Sequence, residues 1–69
     1  MKLSARNVLT GTVTDIVRGP VSTEVTLRIA RGVEIVSVIT TSSARRLKLK
    51  QGVKAHALIK ADSVILAVD

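Results

Sequence analysis

Hydrogen-bond donors gather at three places along this chain: Ser4-Ala5-Arg6-Asn7, Thr40-Thr41-Ser42-Ser43 and Lys60-Ala61-Asp62-Ser63. Each offers hydroxyls and main-chain N–H groups, and the first and third add a cation, Arg6 and Lys60. An anion whose oxygens carry no proton can only accept hydrogen bonds, so its site needs donors and one or two cations, with few competing carboxylates. The clusters meet that demand. The same residues also have a plainer reading, because Ser or Thr ahead of a helix is commonly a cap and an isolated Lys or Arg is commonly solvated. Asp62, beside Lys60, would repel an anion if its side chain pointed the same way.

Catalysis asks for a nucleophile with its base, a pair of carboxylates or an open metal site, and the chain is poor in all of these. Its five acidic residues are scattered, and there is no cysteine. His56 falls mid-strand on a polar face, with no Cys or His at metal-ligand spacing. The expectation is a protein that is not an enzyme and has no metal site built from protein ligands. Eleven basic against five acidic residues give a formal charge of +6, a field that attracts anions. Charge alone does not choose among nucleic acid, acidic lipid and small oxyanions.

The elements that must position these clusters are mostly strands. Gly19-Pro20, Arg31-Gly32 and Gln51-Gly52 punctuate the chain into short segments. Residues 23–29 alternate Val25, Leu27 and Ile29 with Glu24, Thr26 and Arg28, the pattern of a half-buried strand. Residues 9–18 carry Leu9, Val13 and Val17 on one face, with Asp15 interrupting it. Residues 33–41 are apolar on both faces, through Val33, Ile35 and Ile39 on one and Val36 and Val38 on the other, so both faces should be covered. Residues 53–60 and 64–68 read as two further strands. Between the third and fourth strands, residues 41–49 begin with Ser/Thr and continue in good helix formers, with Gly52 beyond the end. The expected class is all-β with one short helix, a five-stranded OB-like β-barrel formed by a single domain over residues 1–69.

Size and composition set further bounds. A core of Val, Ile, Leu and Ala with no aromatic residue, in 69 residues, is small enough to need support. With disulfides and structural metal set aside, association with copies of itself remains, and the apolar outer face of residues 33–41 is where a neighbour would fit. The longest apolar run is a few residues, far below the roughly 20 that cross a bilayer. Residues 1–7 are polar and basic with no apolar run behind them, so no secretory signal is expected and residence should be cytoplasmic.

Lys2-Leu3-Ser4-Ala5-Arg6-Asn7 followed by Gly11-Thr12-Val13 resembles the opening of the molbindin, or Mop, family of TOBE-type domains. Ile39-Thr40 with Ser43, then Arg46-Leu47-Lys48-Leu49 and Gly52, resembles the family's helix segment, and Ala57-Leu58-Ile59-Lys60-Ala61 its signature near the C-terminus. These motifs run in the right order over essentially the whole chain. The resemblance implies an OB-like barrel that assembles as a homo-oligomeric hexamer, a trimer of dimers. It also implies that molybdate or tungstate is held between subunits for storage and homeostasis, with no other cofactor. Carried over by position, Ser4, Arg6, Thr40, Ser43 and Lys60, with main-chain N–H groups around Ala5, Asn7 and Ala61, would form the oxyanion site. Lys60 and Arg6 would supply charge, and the hydroxyls of Ser4, Thr40 and Ser43 would orient the oxygens. Where many relatives carry a small polar residue after the Lys-Ala pair, this chain has Asp62 and then Ser63.

Two other functions fit the same composition. An OB-fold nucleic-acid-binding module would use the charge and the architecture, but such modules stack bases on aromatic rings for about 1–3 kcal/mol each, and this chain has none. A regulatory or assembly subunit would share the oxyanion site and differ in using its occupancy to alter contacts with a protein partner.

Overall fold

The strictest alternation in the sequence, Val25, Leu27 and Ile29 against Glu24, Thr26 and Arg28, becomes an inner strand of a sheet, paired on both sides. A computed structural model describes residues 1–69. In chain order the elements are β1 (Asn7–Arg18), β2 (Ser22–Ala30), β3 (Val33–Thr40), the helix α1 (Thr41–Arg46), β4 (Lys54–Ile59) and a 3-10 turn at Ala61–Ser63. The strands lie antiparallel in the order β3-β2-β1-β4 and curl into a half-barrel.

Along β1 the inward-facing pattern changes phase. The register with β2 slips between Val13 and Asp15, the mark of a bulge in which one extra residue is accommodated. Before the bulge Leu9 and Val13 face inward; after it Ile16 does so and Val17 turns out to solvent. This corrects the expected face of Leu9, Val13 and Val17. It also removes the conflict posed by Asp15, which is exposed. The bulge is held by the residues just before β4: Gly52 N–H donates to the Val13 carbonyl and Val13 N–H donates to the Val53 carbonyl, each at 2.9 Å. At Gly11 β1 passes so close to β2 that a Cβ there would overlap the Arg28 carbonyl.

Inside the curl, Val13, Val25 and Leu27 are buried, with Ile16, Ile29, Ile39, Leu49, Ala55 and Ala57 packed against them. Only six of 69 residues are buried, so the chain alone removes little apolar surface from water. The helix is shorter than the expected 41–49. It ends at Arg46 with Leu47 as C-cap, because Lys48 takes a left-handed conformation (φ 56°) and the following N–H groups fold back onto the helix.

The expected fifth strand, residues 64–68, does not form, and the sheet has four strands. After β4 the 3-10 turn redirects the backbone, with Ser63 N–H on the Lys60 carbonyl and Val64 N–H on the Ala61 carbonyl. The segment that follows has no strand beside it to complete a ladder. Its apolar side chains stand in solvent, Ile65 at 92%, Leu66 at 87% and Val68 at 97% exposure. The edges of β3 and β4 are therefore left open, where a closed barrel would have none. Val36 and Val38, on the outer face of β3, are exposed as well.

Candidate functional site

Pairing of the first strand with the last sets the site. Asn7 lies opposite Ile59 in the β1–β4 ladder, so the residues just before β1 and just after β4 must run side by side. Asn7 reinforces this by donating its side-chain amide to the Ile59 carbonyl at 3.2 Å. The result is a shallow pocket of about 220 Å³ lined by Ser4, Ala5, Arg6, Lys60 and Ala61. Two donor clusters more than fifty residues apart in sequence, one around Arg6 and one around Lys60, thus face one small space.

The lining suits an anion that accepts hydrogen bonds. It contains one hydroxyl, an ammonium and a guanidinium, and no carboxylate. The Asp62 carboxylate stands 3.9 Å from the Lys60 ammonium, with both side chains largely exposed, and takes no part in the lining. Such an exposed pair is worth little and leaves the ammonium free to turn toward another anion.

Thr40 and Ser43 are elsewhere. Thr40 caps α1: its Oγ1 accepts from Ser43 N–H at 3.1 Å and donates to Ser43 Oγ at 2.7 Å. Part of the donor capacity of this cluster is therefore spent on the helix start itself. The next residue, Thr41, fastens that start to the turn after β1, donating its hydroxyl to the Gly19 carbonyl at 2.7 Å. Thr40 pairs with Ser22 and Arg18 with Thr23, which puts the cap at the Arg18 end of β1, whereas the Ser4–Lys60 pocket is at the Asn7 end. Eleven residue steps separate those ends, about 36 Å of strand at about 3.3 Å per step, less whatever the curl removes. The expected site residues thus fall into two groups at opposite ends of β1.

Two wider depressions were not foreseen from the sequence. One, of about 660 Å³, is lined among others by Thr10, Thr12, Arg28, Arg31 and Lys54, and another, of about 420 Å³, by Arg18, Arg45, Lys48 and Lys50 with apolar neighbours. Both draw cations from distant segments, the larger through the pairing of β1 with β2 and β4, the smaller through contacts of the helix and the loop after it with the end of β1. The larger is an open trough and a poor cradle for one small oxyanion; the Ser4–Lys60 pocket is a third of its size and concentrates hydroxyl, cation and main-chain ends. His56 contacts neither: its Nδ1 is 2.8 Å from Thr10 Oγ1 on the exposed side of the β1–β4 pair. No helix is long and apolar enough to cross a membrane.

Comparison with known proteins gives this geometry its context. The TOBE domain model matches residues 3–66. The molybdenum transport protein ModE of Herbaspirillum seropedicae is 51% identical over 69 residues, 100% of this chain and 26% of that protein, so the chain spans about a quarter of that relative's length. Molybdenum-pterin-binding protein 1 of Clostridium pasteurianum is 39% identical over 66 residues, 96% of this chain and 97% of that protein. Among solved structures, the cytoplasmic molybdate-binding protein ModG with molybdate bound superposes with a TM-score of 0.95 at 51% identity, over 100% of this chain and 49% of that chain. These names describe transport and binding, and none describes a reaction or a nucleic-acid partner. A domain model that takes in nearly the whole sequence, a relative matched almost end to end and a shared half-barrel lead to one conclusion: the chain belongs to the TOBE domain family and, within it, to the Mop-type proteins.

Proposed function

We propose that this protein binds molybdate or tungstate as the intact oxyanion, at interfaces between copies of the chain, and so stores and buffers it in the cytoplasm. The observation that carries the reading is the pocket where Ser4, Ala5 and Arg6 meet Lys60 and Ala61 with no carboxylate in its wall. Relatives named for molybdenum and molybdate support the choice of anion. In this reading Lys60 and Arg6 supply charge, the Ser4 hydroxyl and the main chain around Ala5, Asn7 and Ala61 orient the oxygens, and Thr40 and Ser43 complete the shell from a neighbouring copy. The remoteness of Thr40 and Ser43 within one chain favours that division, as do the open edges of β3 and β4 and the bare apolar segment after Ser63. A hexamer built as a trimer of dimers would cover these surfaces.

Discrimination follows from chemistry. Near neutral pH phosphate still carries an O–H that needs an acceptor, and a wall of donors offers none. Sulfate has shorter bonds and leaves stretched contacts in a pocket sized for the larger anion. Molybdate and tungstate are alike in both respects and both should bind. An anion shared between copies also stabilises the assembly by mass action.

The test is to mix the purified protein with molybdate in excess sulfate and phosphate, separate it by size and assay molybdenum in the protein peak. Molybdenum travelling with the oligomer is the expected result. A peak free of molybdenum at every concentration would refute the proposal.

A further inference from the structure

Four cations, remote within the chain from the Ser4–Lys60 pocket, line one open depression of about 420 Å³. Arg18 closes β1, Arg45 stands in the last turn of α1, and Lys48 and Lys50 follow the helix; Thr41, Ala44 and Leu49 complete the wall. No carboxylate lines this space, and none of the four takes part in an ion pair. All four side chains are exposed, so water and salt screen their mutual repulsion and each remains free to turn toward an anion. Arg18 is held in place by its Nη2, which donates to the Leu49 carbonyl at 2.6 Å, leaving other N–H groups of the fork available.

Lys48 supplies a second, independent observation. It is the one non-glycine residue with positive φ, 56°. Its N–H bonds back to the Arg45 carbonyl at 3.0 Å, and that of Leu49 to the Ala44 carbonyl at 3.1 Å, closing the helix in the manner that normally calls for glycine. A cation near a helix C-terminus is explained by the helix dipole, which accounts for Arg45. The dipole does not account for a side chain on the left-handed residue, where glycine would cap the helix with less strain. Strained residues of this kind cluster at functional sites, and here the side chain lines the basic depression.

We propose that this depression binds a small molecule carrying linked phosphates, such as a diphosphate or triphosphate group. Four positive charges exceed what one dianionic oxyanion would neutralise, and the space is nearly twice that of the Ser4–Lys60 pocket. A chain of linked phosphates spreads several negative charges over the length such a depression offers, and Arg and Lys are the residues that hold them. Single-stranded nucleic acid fits less well, because no aromatic residue is present to stack a base.

The experiment titrates inorganic triphosphate into the protein by calorimetry, with K48G, R45A and K54A alongside; Lys54 belongs to the other basic depression. Glycine at position 48 removes the ammonium and relieves the left-handed backbone. K48G should therefore bind triphosphate about tenfold more weakly while its Tm holds or rises, a combination that a merely structural role for Lys48 would not produce. R45A should lose a similar amount, and K54A less than about twofold. Molybdate uptake by K48G should be unchanged, which keeps this proposal separable from the one above. The proposal is overturned if triphosphate does not bind, if K48G binds it as the parent does, if K54A weakens it equally, or if molybdate or duplex DNA displaces it more readily than diphosphate.

Discussion

Replacing Thr41 by valine removes one hydroxyl and nearly preserves the shape of the side chain, which lets its cost be worked from the structure. That hydroxyl donates to the Gly19 carbonyl at 2.7 Å and lies 2.8 Å from the hydroxyl of Thr23, whose exposure is 0%. Its single proton goes to Gly19, so Thr23 is the donor in the second contact. Valine at position 41 leaves the Gly19 carbonyl short of one partner and strands the Thr23 donor inside the protein. A lost hydrogen bond costs about 1 kcal/mol and an unsatisfied buried donor about 1–3 kcal/mol, so T41V should destabilise by about 2–4 kcal/mol. Equilibrium urea unfolding at fixed protein concentration reads this as a lower midpoint with an unchanged slope. T23V should cost less, since Thr41 keeps its bond to Gly19, and the double variant should cost less than the sum of the singles by about 1 kcal/mol or more. A T41V loss below about 0.5 kcal/mol, or strict additivity of the two changes, would refute the reasoning.

Two further perturbations probe the sheet and its uncovered surfaces. Gly11→Ala places a methyl against the Arg28 backbone carbonyl, and because backbone cannot swing aside the expected loss is about 1–3 kcal/mol, seen as a lowered Tm. An unaltered Tm would mean that β1 and β2 are not so close at Gly11. Replacing Ile65 and Leu66 together by aspartate changes side chains that touch almost nothing within the chain. The variant should keep its far-UV circular dichroism and sediment as a smaller species, and an unchanged sedimentation coefficient would show that this segment does not serve assembly.

How much of this was legible beforehand depends on whether each feature is local. The β2 alternation, the three turns with glycine and the Ser/Thr cap of α1 are written in adjacent residues and were read from them. Bulges are not written that way: Asp15 marked the disturbance in β1, but the change of phase that turns Ile16 in and Val17 out depends on the register with β2. The segment 64–68 has strand composition and still forms no strand, because a strand needs a partner as well as a pattern. Lys48 reads as an ordinary helix-forming residue, and its left-handed conformation depends on where the helix stops.

The site divides along the same line. The donor clusters were visible as clusters, and the pairing of Asn7 with Ile59 then decided that the first and third would share a pocket. Nothing in the spacing revealed that Thr40 and Ser43 would sit at the opposite end of β1. The two basic depressions were equally hidden, since Arg18 is remote in sequence from residues 45–50, and Arg28 from Lys54.

The claim that the oxyanion site is assembled from two copies can be tested most directly by mixing two defective variants. K60A removes charge from one half of the site, and T40A/S43A removes hydroxyls from the other; each alone should bind molybdate poorly. Unfolded together and refolded as mixed oligomers, they should recover binding at roughly a quarter of the sites, where a K60A copy supplies Thr40 and Ser43 to a T40A/S43A copy that supplies Lys60. Mixed oligomers that bind no more molybdate than either variant alone would contradict the account, because every site would then lie within a single chain.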